Sequence, residues 1–375
     1  MSATTPASPA ESSATPGTSV GLDYDRIDYS ALTAPVTRGD VRAFRARIKA
    51  EQRADPNVRT GLTTATGVVA IVGLVFFAIV FVFILIAVIG ALASGGSAND
   101  VIVPLVFVIG FGALAVALIV RHFGSGGSWA KWMRLSRFAA ANGLQFRSRS
   151  AAPNYSGMIF GIGNSRSAFN HFTSTSGRYF DFGDYQYSTG SGRDRTTHFW
   201  GFLALHLDRK LPNMVLDSKE NNTLLGSDLP VAFKRDQVLS LEGDFDKHFT
   251  LYCPQEYQTD ALYVFTPDLM ALLVDDAGSY DVEIVDDWMF VYSPHQFPPV
   301  NPATYQRLFT IITTVGAKTV GQTENYHDDR TPSSAADIVA PSGQRLRHGT
   351  SVGALVIAGA FAAFWLYSVV HGFLH

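Results

Sequence analysis

Three runs of the chain are apolar almost without interruption. Residues 64–93 (TATGVVAIVGLVFFAIVFVFILIAVIGALA), 101–120 (VIVPLVFVIGFGALAVALIV) and 351–370 (SVGALVIAGAFAAFWLYSVV) contain no Asp, Glu, Lys, Arg or His. Roughly 20 apolar residues suffice to cross a bilayer as a helix, and none of the runs has the polar face of a core helix. The pattern predicts three transmembrane helices, the first two joined as a hairpin through ASGGSAND.

Between the second and third runs the pattern shortens. Residues 128–142 (SWAKWMRLSRFAAAN) read as a helix with Ser128 as N-cap and Gly143 as C′ residue. Alternating or short apolar stretches predict strands at 144–148, 155–163, 178–188, 197–208, 213–218, 248–254 and 261–265. TGSGRDRT joins 178–188 to 197–208 as a hairpin. TPDLMALLVDD reads as a helix, with Thr266 as cap and Pro267 in the first turn. A hairpin turning at Asp286 and Asp287 (280–285 with 288–294) and a helix at 301–317 complete the series. Strands dominate without a strand–helix–strand rhythm, which predicts an α+β domain with a mainly antiparallel sheet.

The flanks differ in kind. Residues 1–36 read as a disordered Ser/Thr/Pro/Ala-rich tail, and 37–62 as a basic amphipathic juxtamembrane helix in which Val41, Phe44 and Ile48 recur at helical spacing. The transmembrane hairpin occupies 63–120 and the α+β domain 121–317. A polar linker covers 318–349 and the third span 350–371.

Composition supports the spans. Hydrophobic residues make up 47% and charged residues 16%, against about 25% charged in an average soluble protein, and mean hydropathy is +0.13. Lys and Arg crowd the segments before the first run, after the second and before the third, and are missing from ASGGSAND and HGFLH. The positive-inside rule then places the N-terminus and 121–349 in the cytoplasm and the C-terminus outside, in a multi-pass bacterial inner-membrane protein. The net charge of −3 and the lack of a clustered basic domain speak against nucleic acid as a partner. One cysteine, Cys253, excludes an intramolecular disulfide or a cysteine zinc cluster.

Residues 241–276 carry a resemblance. Glu242-Gly243-Asp244-Phe245-Asp246, Phe249-Thr250-Leu251-Tyr252, Asp260-Ala261-Leu262-Tyr263 and Thr266-Pro267-Asp268-Leu269-Met270 resemble a signature of uncharacterised bacterial membrane proteins. Phe138-Ala139-Ala140-Ala141-Asn142-Gly143 fits the start of the same domain. The resemblance implies a cytoplasmic domain after a transmembrane hairpin, and no activity.

Candidate chemistry is sparse. Asp244, Asp246 and His248 are spaced two apart, so an extended backbone would turn all three to one side as metal or acid–base groups. The same residues also suit a turn whose Asp side chains bond the local backbone. Gly161-Ile162-Gly163 lacks the third glycine of a dinucleotide loop, and His198 and His206 lie too far apart along a strand to share a metal. Cys253 reads as a small buried residue. No catalytic residue, metal or cofactor is assigned. Ala354, Ala358 and Ala362 in the third run give small-xxx-small spacing for helix contact. The resulting expectation is a membrane-anchored cytoplasmic interaction or scaffold domain rather than an enzyme. Its partners would be the lipid bilayer and a protein or second copy docked through the third span. The alternative is a membrane-tethered enzyme or small-ligand sensor.

Overall fold

Apolar alternation builds one seven-stranded sheet in the computed structural model. The structure describes residues 26–54, 127–222, 226–241, 243–331 and 337–349, with isolated positions at 86, 89, 90, 93, 95, 110 and 365. The strands are β1 (Leu144–Ala151), β2 (Asn164–Ser174), β3 (Phe180–Thr189), β4 (Thr196–Ser218), β5 (Val238–Leu239), β6 (Phe249–Tyr252) and β7 (Asp281–Ser293). They run in the order β1-β2-β3-β4-β6-β5, with β7 also on β4, and every pairing is antiparallel. The predicted hairpin is present: Phe180 to Thr189 pair with Leu205 to Thr196.

Two predicted breaks are instead one paired irregularity. Residues 197–208 and 213–218 belong to the single strand β4, and the hairpin expected at Asp286–Asp287 is the continuous strand β7. The two interruptions face each other, with Leu211 opposite Asp286 and register shifts on both sides of Leu211. Pro212 lacks the N–H a regular ladder needs. Asp286 adopts φ 53°, a conformation that Asp tolerates better than most residues. A long ribbon absorbs both by bulging.

The helices are α1 (Ser30–Thr33), α2 (Arg38–Ala54), α3 (Gly127–Ala141), α4 (Phe245–His248), α5 (Gln258–Val264), α6 (Pro267–Ala277), α7 (Pro302–Ile311), α8 (Ala317–Thr323) and α9 (Pro341–Gln344). α3 ends before Gly143 at φ 63°, and α6 starts at Pro267, both as predicted. The strand expected at 261–265 is largely helix: Ala261 and Val264 are buried while Leu262 and Tyr263 are exposed, a three-residue period. In place of the strand expected at 155–163, residues 157–163 form bends and turns, and the strand follows them as β2.

The sheet buries both faces. Phe172, Phe180 and Phe182 meet Phe138 of α3 and Tyr305 and Phe309 of α7 on one side. Tyr185, Phe202, Phe290 and Tyr292 pack on Ile159 and Phe160 on the other. Two flanks assigned elsewhere from sequence join this domain. Leu32 is buried in the first core, and the Asp28 backbone N–H donates to Asn142 Oδ1 at 2.7 Å. In the expected linker, the Leu346 N–H donates to Asn213 Oδ1 and Arg345 pairs with Asp286 at 2.9 Å.

The expectation of three transmembrane helices is corrected. Among the described residues no helix is long and apolar enough to cross a membrane; the longest, α2, has 17 residues and reads RGDVRAFRARIKAEQRA. The fold is a mainly antiparallel sheet domain with several helices. The runs 64–93, 101–120 and 351–370 lie, isolated positions apart, outside the described residues. The integral-membrane function and the multi-pass inner-membrane location with a cytoplasmic domain rested on those spans and are withdrawn with them. The physical reason is that apolar composition sets a solvent preference, not a spanning helix. The buried apolar side chains of the described residues form two aromatic-rich cores.

A bulge in β2 shapes the first face. Phe169 pairs with Asp184 and Phe172 with Phe182, so Asn170 and His171 together oppose Gly183. Asn170 sits at φ 49°, the left-handed first position of such a bulge. A Cβ on Gly183 would collide with Cα and Cβ of His171. Gly183→Ala is expected to lower stability by about 1–3 kcal/mol, read as a shift of the denaturant midpoint at constant slope.

Candidate metal centre

Three carboxylates converge where β4 ends and β7 begins. The register Leu216↔Val282 carries Asp217 opposite Asp281, and like charges directly opposite repel. Asp228 reaches the same place from the loop after β4. One oxygen from each lies within 4.8 Å of the others. Opposed ligands about one ion at metal–oxygen distances of about 2.4 Å are about 4.8 Å apart, so a single cation can touch all three.

Four of the six oxygens there lack protein donors among the described residues. Asp217 is 3% and Asp281 0% exposed. Asp281 Oδ1 accepts the Ser218 backbone N–H at 2.8 Å. Asp281 Oδ2, Asp217 Oδ1 and both Asp228 oxygens have no hydrogen-bond donor among the described residues. In the same loop, the side-chain oxygens of Asn221 and Asn222 are also buried without a partner. Burial is the main cause that pushes Asp281 up to about 8 and Asp217 up to about 6, and it raises Asp228 as well. Mutual repulsion adds to each shift in Asp217 and Asp281. A buried carboxylate without a partner is costly when ionised, and a cation among the three would offset that cost as protons do. Oxygen-only donors, with amides beside carboxylates, are the set a hard cation takes.

The residues singled out from sequence lie elsewhere. Asp244 precedes α4 and is exposed, 4.0 Å from Lys247. Asp246 accepts the Leu241 N–H at 3.1 Å and the Ser240 hydroxyl, the local turn bonding that was the other reading of this run. His248 Nδ1 lies 3.9 Å from Glu220. The run is a helical turn, so spacing by two does not bring the three together. Cys253 is fully buried and its thiol is pushed up to about 11, chiefly by burial.

A second polar chain deserves comparison with a catalytic triad. Ser150 Oγ lies 2.9 Å from His171 Nε2, and His171 Nδ1 lies 3.1 Å from Asp181 Oδ1. Asp181 Oδ2 accepts the Tyr155 hydroxyl at 3.0 Å. His171 is only 4% exposed, and Ser150 Oγ also donates to the Ala151 carbonyl. The array therefore ties β1, β2, β3 and the 152–162 segment together rather than presenting a nucleophile.

Sequence reasoning missed Asp217, Asp228 and Asp281 because 64 positions separate the first from the last. A usable signal was present: Asp217 at the end of an apolar strand, followed by the oxygen-rich loop SKENNTLLGSD.

Comparison with known proteins adds little. No family model and no curated protein matches this chain. Among solved structures, the crystal structure of the mycobacterial trehalose monomycolate transport factor A, TtfA, is similar at 13% identity with a TM-score of 0.35. The match covers 51% of this chain and 95% of that one. A likeness at that level carries no argument about what this chain does.

Proposed function

We propose that this domain binds one divalent cation of the calcium type through Asp217, Asp228 and Asp281. The ion fastens the loop after β4 to the end of the sheet. The observation that carries this reading is the set of buried carboxylate oxygens facing one another with no donor among the described residues. Calcium is favoured over magnesium because it accepts six to eight oxygens in flexible geometry, whereas magnesium keeps much of its water.

Calorimetric titration of the chelator-treated full chain tests it. Calcium is expected to bind once per chain, more tightly than magnesium, and more weakly at pH 5.5 than at 7.5 because protons compete for the same oxygens. Asp228→Asn lies on a loop and leaves both cores intact; it should weaken binding at least tenfold. Absence of calcium heat in a folded wild-type chain, or unchanged affinity in Asp228→Asn, defeats the proposal.

A further inference from the structure

A second site lies where the β2 bulge meets α3. A cleft of about 250 Å³ opens there between α3, the β1–β3 strands and the 296–299 segment. This is just below the lower end of ligand clefts, about 300 Å³. Its floor is a fixed polar relay. Trp132 Nε1 donates to Asn170 Oδ1 at 3.2 Å, and Asn170 Nδ2 donates to Asp184 Oδ2 at 3.1 Å. The Phe297 backbone N–H donates to Asp184 Oδ1 at 2.8 Å. Both oxygens of the buried Asp184 carboxylate are thus occupied by protein donors.

The cations of the cleft are not occupied in that way. Lys131 is half-buried in the wall and makes no hydrogen bond or ion pair among the described residues; Asp184 acts on it only through charge. Arg149 uses one guanidinium nitrogen on Ser167 Oγ at 3.2 Å and keeps further donors for a ligand. Two cations and one carboxylate line the cleft, so its charged side chains sum to a net positive charge. Phe169 and Phe199 stand beside these cations in edge contact at 6.3 Å, and Phe199 is 42% exposed. Strained backbone at Asn170 is the kind of feature that collects at binding sites; here it turns the amide onto Asp184 and sets the floor.

We infer that this cleft binds a small organic oxyanion with a flat apolar body. The anionic head meets Lys131 and Arg149, and the body lies against Phe169 and Phe199. The shared chemistry is a carboxylate or a phosphate on an aromatic or similarly planar group. The inference is independent of the metal centre.

Fluorine NMR on the full chain tests it with three probes of one shape: 4-fluorobenzoate, 4-fluorophenyl phosphate and the neutral 4-fluorobenzamide. At least one anion is expected to bind with Kd below about 1 mM and at least tenfold more tightly than the amide; whichever anion binds better identifies the head group. Lys131→Met keeps the aliphatic stem and should weaken the anion about tenfold, as loss of a charge-assisted hydrogen bond does. Phe199→Ala, at an exposed ring, should weaken all binding while melting near the wild type. The inference falls if the amide binds as well as the anions, or if neither anion binds up to about 10 mM. It also falls if Lys131→Met melts normally and binds the anion unchanged.

Discussion

Calcium at a hundredfold excess over its Kd is expected to stabilise the full chain by about 2.7 kcal/mol. For a domain of this size that is a rise of about 5–11 °C in thermal midpoint. The effect is large because the ion binds only where β4, β7 and the loop after β4 meet, an arrangement the unfolded chain lacks. Asp281→Asn gives the sharper result. Asparagine keeps the Oδ1 that accepts the Ser218 N–H and removes a charge that burial disfavours. In chelator at pH 8 this variant should therefore melt above the wild type; in saturating calcium the order should reverse. An ordinary structural carboxylate gives no such crossover, since its loss changes stability equally with and without the ion. If Asp281→Asn melts lower in both conditions by the same amount, the carboxylate has a structural role and the cation is dispensable.

Local patterns that report on one element were legible in the sequence. The 178–188 and 197–208 strands form their hairpin because alternation and a turn-rich link agree. α3 and α6 follow from end signals, Gly143 and Pro267. What failed was contextual. KLPN and VDDW look like strand ends taken singly, and only their pairing across the ribbon makes them one bulge. Residues 261–265 have strand composition, yet burial of Ala261 and Val264 settles them as helix. β2, as NSRSAFNHFTS, is polar because its bulge breaks the two-residue alternation that strand recognition relies on. The candidate site was the least legible part. Asp244, Asp246 and His248 drew notice because they are neighbours in sequence. Asp217, Asp228 and Asp281 are neighbours only after β4 and β7 have paired.

Glu283 makes stability fall as pH rises. This fully buried carboxylate accepts from the Met158 N–H and the Tyr292 hydroxyl, both at 2.7 Å, and from Asn213 Nδ2 at 3.2 Å. Burial outweighs those donors and raises it from 4.5 to about 7. The folded chain therefore holds a proton that the unfolded chain releases. The stabilisation is complete below pH 4.5 and is lost as pH climbs through 7, a change on the order of 3 kcal/mol. Glu283→Gln cannot ionise and should flatten this part of the profile. Its amide carries two N–H groups where the protonated carboxyl carries one O–H, and the extra donor finds no acceptor there, so it should be less stable than the wild type at pH 5 and close to it at pH 8. Glu283→Ala leaves the Met158 N–H and the Tyr292 hydroxyl without their acceptor and the Asn213 amide with only the Ile284 carbonyl, and should cost about 3–5 kcal/mol at pH 5. Urea unfolding from pH 5 to 8 measures all three chains. A wild-type curve that is level across this range, or a Glu283→Gln curve that parallels a falling one, would place the pH dependence elsewhere in the domain.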